Sequence, residues 1–218
     1  MNAHQFSTEE IAAVYKVIRE RRDMRHFHDA PLEEGQLERF IRAAHMAPSV
    51  GFMQPWRFLR ISDPNLRKAI QVHVEEERIA TADALGERSS EFMRIKVEGI
   101  LSCAEVLIVG LTDYREKYIF GRRTMPEMDL ASASCAIQNM WLAARAEGIG
   151  LGWVSLFDPA RLREICHMPV GSQPIAILCL GHVKEFYPAP MLEMEAWDQR
   201  KAISDIVYEN VWGAAESN

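Results

Sequence analysis

The loop from Pro48 to Trp56 reads Pro-Ser-Val-Gly-Phe-Met-Gln-Pro-Trp and separates a helical pattern from an extended one. Prolines at both ends restrict the backbone and leave a hydroxyl, an amide and several backbone N–H groups between them. The neighbouring Trp56 is an equally good core residue. Taken alone, the loop indicates a rigid set of polar contacts without saying what they bind.

A second polar segment lies about thirty residues earlier, where Arg21-Arg22-Asp23-Met24-Arg25 follows the first helical pattern. Guanidinium groups suit a phosphate or a carboxylate, because their N–H groups form a planar fork. Cations at the negative end of a helix also stabilise the helix itself, without any ligand. Composition does not favour either explanation, ligand binding or helix stabilisation, over the other. Among these cations Asp23 is expected to stay ionised.

Periodicity around these segments predicts alternating helices and strands. Ser7 and Glu10 form a capping box for a first helix that is predicted to run to Arg22, and Pro31 is predicted to open a second. Residues 130–147 are apolar nearly all round, which predicts a central helix. Further helices are expected over 65–102, with a break at Gly86, and after Asp158; strands are expected over 56–61, 104–111, 150–156 and 173–183.

The 218 residues predict a single domain, 1–218, with 48% hydrophobic positions and a net charge of −6. The acidic balance gives no general attraction to nucleic acid or to anionic membranes, and no apolar run is long enough to span a bilayer. A cytoplasmic location with reduced cysteines follows by default. His26 and His28 lack further ligands at a metal-like spacing, so no metal is assigned.

The Arg21–Arg25 and Pro48–Trp56 segments together resemble the FMN-dependent nitroreductase family. The resemblance continues through 121–127, 141–148 and 152–155, and therefore covers most of the chain. It implies an α+β, three-layer α/β/α fold with a central, mostly antiparallel sheet. It also implies an intertwined homodimer with FMN at the subunit interface and a C-terminal arm over 186–218.

Three positions make the chain most similar to the BluB branch of that family, the 5,6-dimethylbenzimidazole synthases: Asp23, Phe52 and Ser155. The branch implies that reduced FMN is a substrate. It reacts with dioxygen and is fragmented to 5,6-dimethylbenzimidazole, the lower ligand of cobalamin, and erythrose 4-phosphate. A separate flavin reductase would supply the reduced FMN, and residues 113–128 would form a lid.

The resemblance also assigns roles to the residues quoted above. Asp23 is expected to be the base and Ser155 a donor to the flavin ring or to an oxygen. The other expected flavin contacts are Arg21, Arg22, Met24, Arg25, Ser49, Gln54 and Arg200. Two alternatives stay open: an NAD(P)H-dependent nitroreductase, flavin reductase or corrinoid reductase that recycles its FMN, and a flavin-binding protein without turnover.

Overall fold

A computed structural model describes residues 4–213 and places a four-stranded sheet at the centre of the chain. The strands are β1 (Trp56–Ile61), β2 (Glu105–Leu111), β3 (Gly150–Val154) and β4 (Gln173–Gly181). Their order in the sheet is β1-β2-β4-β3, and each neighbouring pair is antiparallel. The predicted antiparallel sheet is thus confirmed.

Helices cover both faces of this sheet because its two central strands are apolar on both sides. In β2, Leu107 and Val109 face one core, and Val106 and Ile108 face the other. The helices are α1 (Thr8–Glu20), α2 (Gln36–His45), α3 (Pro64–Ala84), α4 (Ser89–Arg94), α5 (Met128–Ala146), α6 (Pro159–Ile165) and α7 (Met191–Met194). The first core contains residues of α2 and α5, and the second contains residues of α3 and α6, which gives the expected three layers.

Three helix boundaries differ clearly from those predicted. The helical stretch expected to reach residue 102 ends at Arg94, because Ile95 has an extended backbone. The first helix ends at Glu20 rather than Arg22, because Arg21 has an extended backbone. The second begins at Gln36 rather than after Pro31, and its N-cap is Gly35 in the left-handed region. Proline favours the first turn of a helix, but Pro31 lies here in an irregular segment that leads through a turn at Glu34 and Gly35 into the helix.

The chain leaves two apolar surfaces uncovered. No residue of α1 is buried, and its apolar residues Val14, Tyr15 and Ile18 are about half exposed or more. Near the C-terminus Ile203, Val207 and Trp212 are also exposed, Trp212 at 89%. Surfaces of this kind usually mark contacts with another chain. Within residues 4–213, no helix is long and apolar enough to cross a membrane.

Candidate functional site

The arginine-rich segment extends the sheet at the edge formed by β3. Asp23 makes an isolated parallel bridge with Leu151, and the Met24 N–H donates to the Leu151 carbonyl at 3.0 Å. Met24 as a whole is buried and lines none of the cavities beside Asp23, so the flavin contact expected of it stays a prediction. Gly152 permits this approach, because a Cβ there would lie 2.2 Å from the Met24 carbonyl oxygen.

The carboxyl group of Asp23 is fixed at both oxygens. Oδ1 accepts from the Trp153 N–H at 2.9 Å, and Oδ2 accepts from Nη2 of Arg25 at 2.6 Å. The same Nη2 donates to the Trp153 carbonyl at 2.7 Å. Arg25 is 7% exposed, and its Nε and Nη1 are buried without a hydrogen-bond partner. Arg25 therefore orients Asp23 against the end of β3 and keeps two guanidinium nitrogens without a hydrogen-bond partner.

Burial raises the pKa of Asp23 above its usual range, although the charges of Arg25 and Arg21 and the N–H of Trp153 lower it. The upward direction corrects the sequence-based reasoning, in which the arginines alone decided the charge of this carboxyl group. Burial also lowers the pKa of Arg21, with Asp23 opposing that shift. A carboxylate whose pKa is raised in this way is a stronger base than a solvated one.

A basic cavity of about 570 Å³ opens on one side of Asp23. Its lining includes Arg21, Arg22 and Arg200, so the structure brings together three of the predicted residues. The Arg21 guanidinium lies 4.4 Å from the centre of the Trp141 ring. Arg22 instead donates to backbone carbonyls, including that of Pro188 at 3.0 Å. Arg22 is held against the cavity wall by these bonds, and Arg19, Arg21 and Arg200 add further positive charge to the lining.

Asp23 also lines two less polar cavities. Trp153 and Ser155 line both of them. The structure thus places Asp23 and Ser155 beside the same two cavities, and their roles at a flavin stay predictions. One cavity, of about 490 Å³, is lined by Leu130, Ser134 and Trp141 of α5; the other, of about 230 Å³, is lined by Phe92 of α4. The smaller cavity contains the predicted residues Asp23, Arg25 and Ser155. The rest of its lining was not predicted from the sequence: Phe92, Ile95, Val97, Trp153, Val154, Leu156, Met191, Leu192 and Trp197.

Ser49 and Gln54 lie elsewhere in the chain. Ser49 Oγ accepts from the Gln54 N–H at 3.0 Å, which closes the loop on itself, and Gln54 lines a separate cavity. The loop is attached to the start of α5, where Ser132 Oγ accepts from the Val50 N–H. Trp141, beside Asp23, is nine residues further along α5, or about 13 Å at 1.5 Å per residue. Within one chain, Ser49 and Gln54 therefore do not lie beside Asp23.

The predicted lid, residues 113–128, packs against this same loop. Gly121 touches Val50 so closely that a Cβ would lie 2.5 Å from its Cγ2 atom. Arg122 ties the segment to the start of α5 through Asp129 at 2.9 Å. Residues 113–128 are absent from the linings of the three cavities that meet at Asp23. A lid role for this segment stays a prediction.

Comparison with known proteins agrees with this arrangement. Residues 18–182 match the profile of the nitroreductase family. The chain is 38% identical over 184 residues to a 5,6-dimethylbenzimidazole synthase of Rhodospirillum rubrum, covering 83% of this chain and 87% of that protein. It is 35% identical over 190 residues to one of Rhodobacter capsulatus, covering 86% and 91%.

The fold is also shared with a solved structure, a BluB-like flavoprotein from Clostridium difficile 630. The TM-score is 0.69 at 17% identity, and the match covers 90% of this chain and 98% of that one. At this identity the likeness concerns the fold alone. With the family profile extending over the sheet, the helices around it and the Arg21–Arg25 segment, the chain belongs to the nitroreductase family.

Proposed function

We propose that this protein is a 5,6-dimethylbenzimidazole synthase, which uses dioxygen to fragment reduced FMN into 5,6-dimethylbenzimidazole, erythrose 4-phosphate and a third fragment that keeps the remaining pyrimidine-ring atoms of the flavin and the oxygen atoms added to them. The observation that carries the proposal is the position of Asp23. Its carboxyl group lies where the basic cavity meets the two cavities that contain Ser155. The names of its relatives in Rhodospirillum rubrum and Rhodobacter capsulatus support the same activity.

The residues around Asp23 fit a flavin mononucleotide. A phosphate is dianionic or nearly so, and the basic cavity presents Arg21 and Arg200 to it. The unpartnered N–H groups of Arg25 are suited to the polar edge of a ring system. Trp153 and Ser155 provide an aromatic surface and a hydroxyl at the end of β3. The ribityl chain, which joins phosphate to ring, would then pass Asp23.

Bound reduced FMN supplies two electrons to dioxygen and the carbon atoms of the product. The protein contributes a base at Asp23, whose free carboxylate lone pairs can accept a proton from a ribityl hydroxyl. Arg25 keeps that carboxyl group in one orientation through Oδ2 while the Trp153 N–H holds Oδ1. Ser155, exposed at the end of β3, donates its hydroxyl hydrogen toward the ring or an oxygen.

The active form is a homodimer in this proposal. The uncovered apolar face of α1 and the exposed C-terminal residues give a second copy surfaces to pack on. In the dimer, Ser49 and Gln54 of one subunit complete the flavin site of the other, and residues 113–128 cover it. A separate flavin reductase in the cytoplasm supplies reduced FMN.

The test is a single turnover. FMN is reduced without oxygen in the presence of the protein, then mixed with air in the absence of NAD(P)H, and the products are separated by chromatography. Loss of flavin with formation of 5,6-dimethylbenzimidazole is the expected result. Full recovery of oxidised FMN would refute the proposal. NAD(P)H consumption with a nitroaromatic acceptor would then identify a recycling reductase.

A further inference from the structure

The first part of the C-terminal arm, residues 188–197, lies against its own chain and is called the strap below. Pro188, Pro190 and Met191 line the basic cavity. Met191, Leu192 and Trp197 line the smaller cavity beside Asp23 and Ser155. The strap therefore contacts both spaces in which the proposed flavin would lie, and residues 113–128 contact neither.

Arg88 holds the far end of the strap. Its guanidinium carbon lies 3.6 Å from the centre of the Trp197 ring, and its Nη2 donates to the Trp197 carbonyl at 3.0 Å. Glu91 accepts two hydrogen bonds from the same guanidinium at 3.0 and 3.2 Å, which fixes its plane. Phe92, from the next turn, lies 6.1 Å from Trp197 between ring centres. One arginine thus contacts both the ring and the backbone of Trp197.

The backbone before Trp197 is strained. Ala196 has φ 55°, in the left-handed region that residues with a Cβ seldom occupy. Such a conformation costs on the order of 1 kcal/mol and persists only when neighbouring contacts impose it. The Arg88 contacts lie directly beside it, and they direct the indole toward the cavity instead of solvent. The strap is therefore held in place by specific contacts rather than by its own propensity.

We propose that Trp197 is a further substrate-contacting residue and that Arg88 is its positioning residue. Trp197 forms part of the wall of the smaller cavity. The contacts of Arg88 with the ring and the carbonyl of Trp197, called the clasp below, keep the strap closed over bound flavin. The part of this inference that concerns coupling to benzimidazole formation rests on the proposed function. The part that concerns flavin retention does not.

The strap thereby controls the access of water to the flavin. Reduced FMN that meets dioxygen in contact with water transfers two electrons and two protons to it, giving oxidised FMN and hydrogen peroxide. A closed strap excludes bulk water from the space between Trp197, Asp23 and Ser155. When the clasp is broken, flavin leaves faster, and a larger share of the reduced flavin ends as oxidised FMN and peroxide.

The test compares Arg88→Ala, Arg88→Lys, Trp197→Ala and Trp197→Phe in the full-length protein. The first measurement is the dissociation rate of oxidised FMN, followed by its fluorescence after rapid dilution. Arg88→Ala is expected to raise that rate about two- to fivefold, the effect of one exposed cation–π contact, and Trp197→Ala about tenfold. Arg88→Lys and Trp197→Phe are expected to restore most of the retention. Arg161→Ala removes a comparable exposed ion pair with Glu164 on α6 and leaves the rate unchanged.

The second measurement is the ratio of hydrogen peroxide to 5,6-dimethylbenzimidazole in a single turnover, which rises in the two alanine variants. Unchanged dissociation rates in both alanine variants, with circular dichroism showing a folded protein, would overturn the inference. Equal acceleration by Arg161→Ala would overturn it too, because the effect would then be general. If the unmodified protein forms no benzimidazole while the strap variants still lose FMN faster, the proposed function fails and the strap assignment stands.

Discussion

Replacing Gly152 with alanine tests whether the fold and the site depend on the same close approach. A Cβ at this position would lie 2.2 Å from the Met24 carbonyl oxygen and 2.7 Å from Nη1 of Arg25. The first of these is a backbone atom, so no side-chain rotation relieves the clash. Segment 21–25 must move away from β3, and the contacts that fix Asp23 must lengthen with it.

The size of the effect follows from what that displacement disturbs. Overpacking in a well-packed region costs about 1–3 kcal/mol, and a hydrogen bond contributes about 0.5–1.5 kcal/mol net. The bonds at risk join Met24 to Leu151, Trp153 to Asp23, and Arg25 to Trp153. Because they weaken rather than vanish, we expect a total loss of about 2–4 kcal/mol. For a domain of this size that lowers the melting temperature by about 5–15 °C.

Urea denaturation, FMN titration and the single-turnover reaction measure the consequences. Gly110→Ala in β2 is the matched control, because its Cβ would lie 2.6 Å from Cε of Met168, the free end of a flexible side chain. We expect it to lose less than about 1 kcal/mol and to keep product formation. Gly152→Ala should lose product formation more steeply than FMN affinity. A Gly152→Ala protein as stable and active as Gly110→Ala would refute the reasoning.

Three further predictions concern the two proposed catalytic groups. Asp23→Asn should bind FMN within a few-fold of the unmodified affinity and form no 5,6-dimethylbenzimidazole, measured by chromatography; full synthesis would remove Asp23 as the base. Ser155→Gly should slow synthesis or raise the peroxide yield, and an unchanged yield would exclude Ser155 from the reaction. Because the pKa of Asp23 is raised in the folded protein, protonated Asp23 favours folding, and this contribution is lost as the pH rises through the raised pKa. Urea denaturation across that range should show a pH-dependent difference between the unmodified protein and Asp23→Asn; parallel curves would contradict the shift.

The sequence predicted correctly those helix ends that are determined by residues a few positions apart. The Asp158 side chain accepts from the Arg161 N–H at 2.7 Å and caps α6, as the Asp-Pro pair indicates. Gly86, at φ 57°, marks the break after α3. The predicted start of α2 was wrong by five residues, because Pro31 is as compatible with the irregular segment before the helix as with a helix itself. Here Gln36 Oε1 accepts from the Glu33 N–H, so a side chain of the helix stabilises the turn before it.

The site was accessible to sequence reasoning only where a motif kept its residues together. Asp23 and Ser155 could be paired because both stood in segments that resemble one family. The contact of Arg88 with Trp197 spans 109 positions, and that of Asp23 with Trp153 spans 130. No periodicity or spacing predicts such contacts, since they arise from how α4, the strap and β3 pack. Trp197 was visible as an aromatic residue with little apolar company, but nothing indicated which surface it covers.

Several features of this site work against the stability of the ligand-free chain. Arg25 keeps two buried guanidinium nitrogens without a hydrogen-bond partner, burial disfavours the ionised form of Asp23 and so raises its pKa, and Ala196 occupies a strained conformation. The strained backbone costs on the order of 1 kcal/mol, and an unpartnered buried donor costs about 1–3 kcal/mol. A ligand that accepts from Arg25 and fills the space beneath Trp197 removes part of these costs. Flavin binding should therefore stabilise segment 21–25 and the strap together, because both contact one ligand from opposite sides.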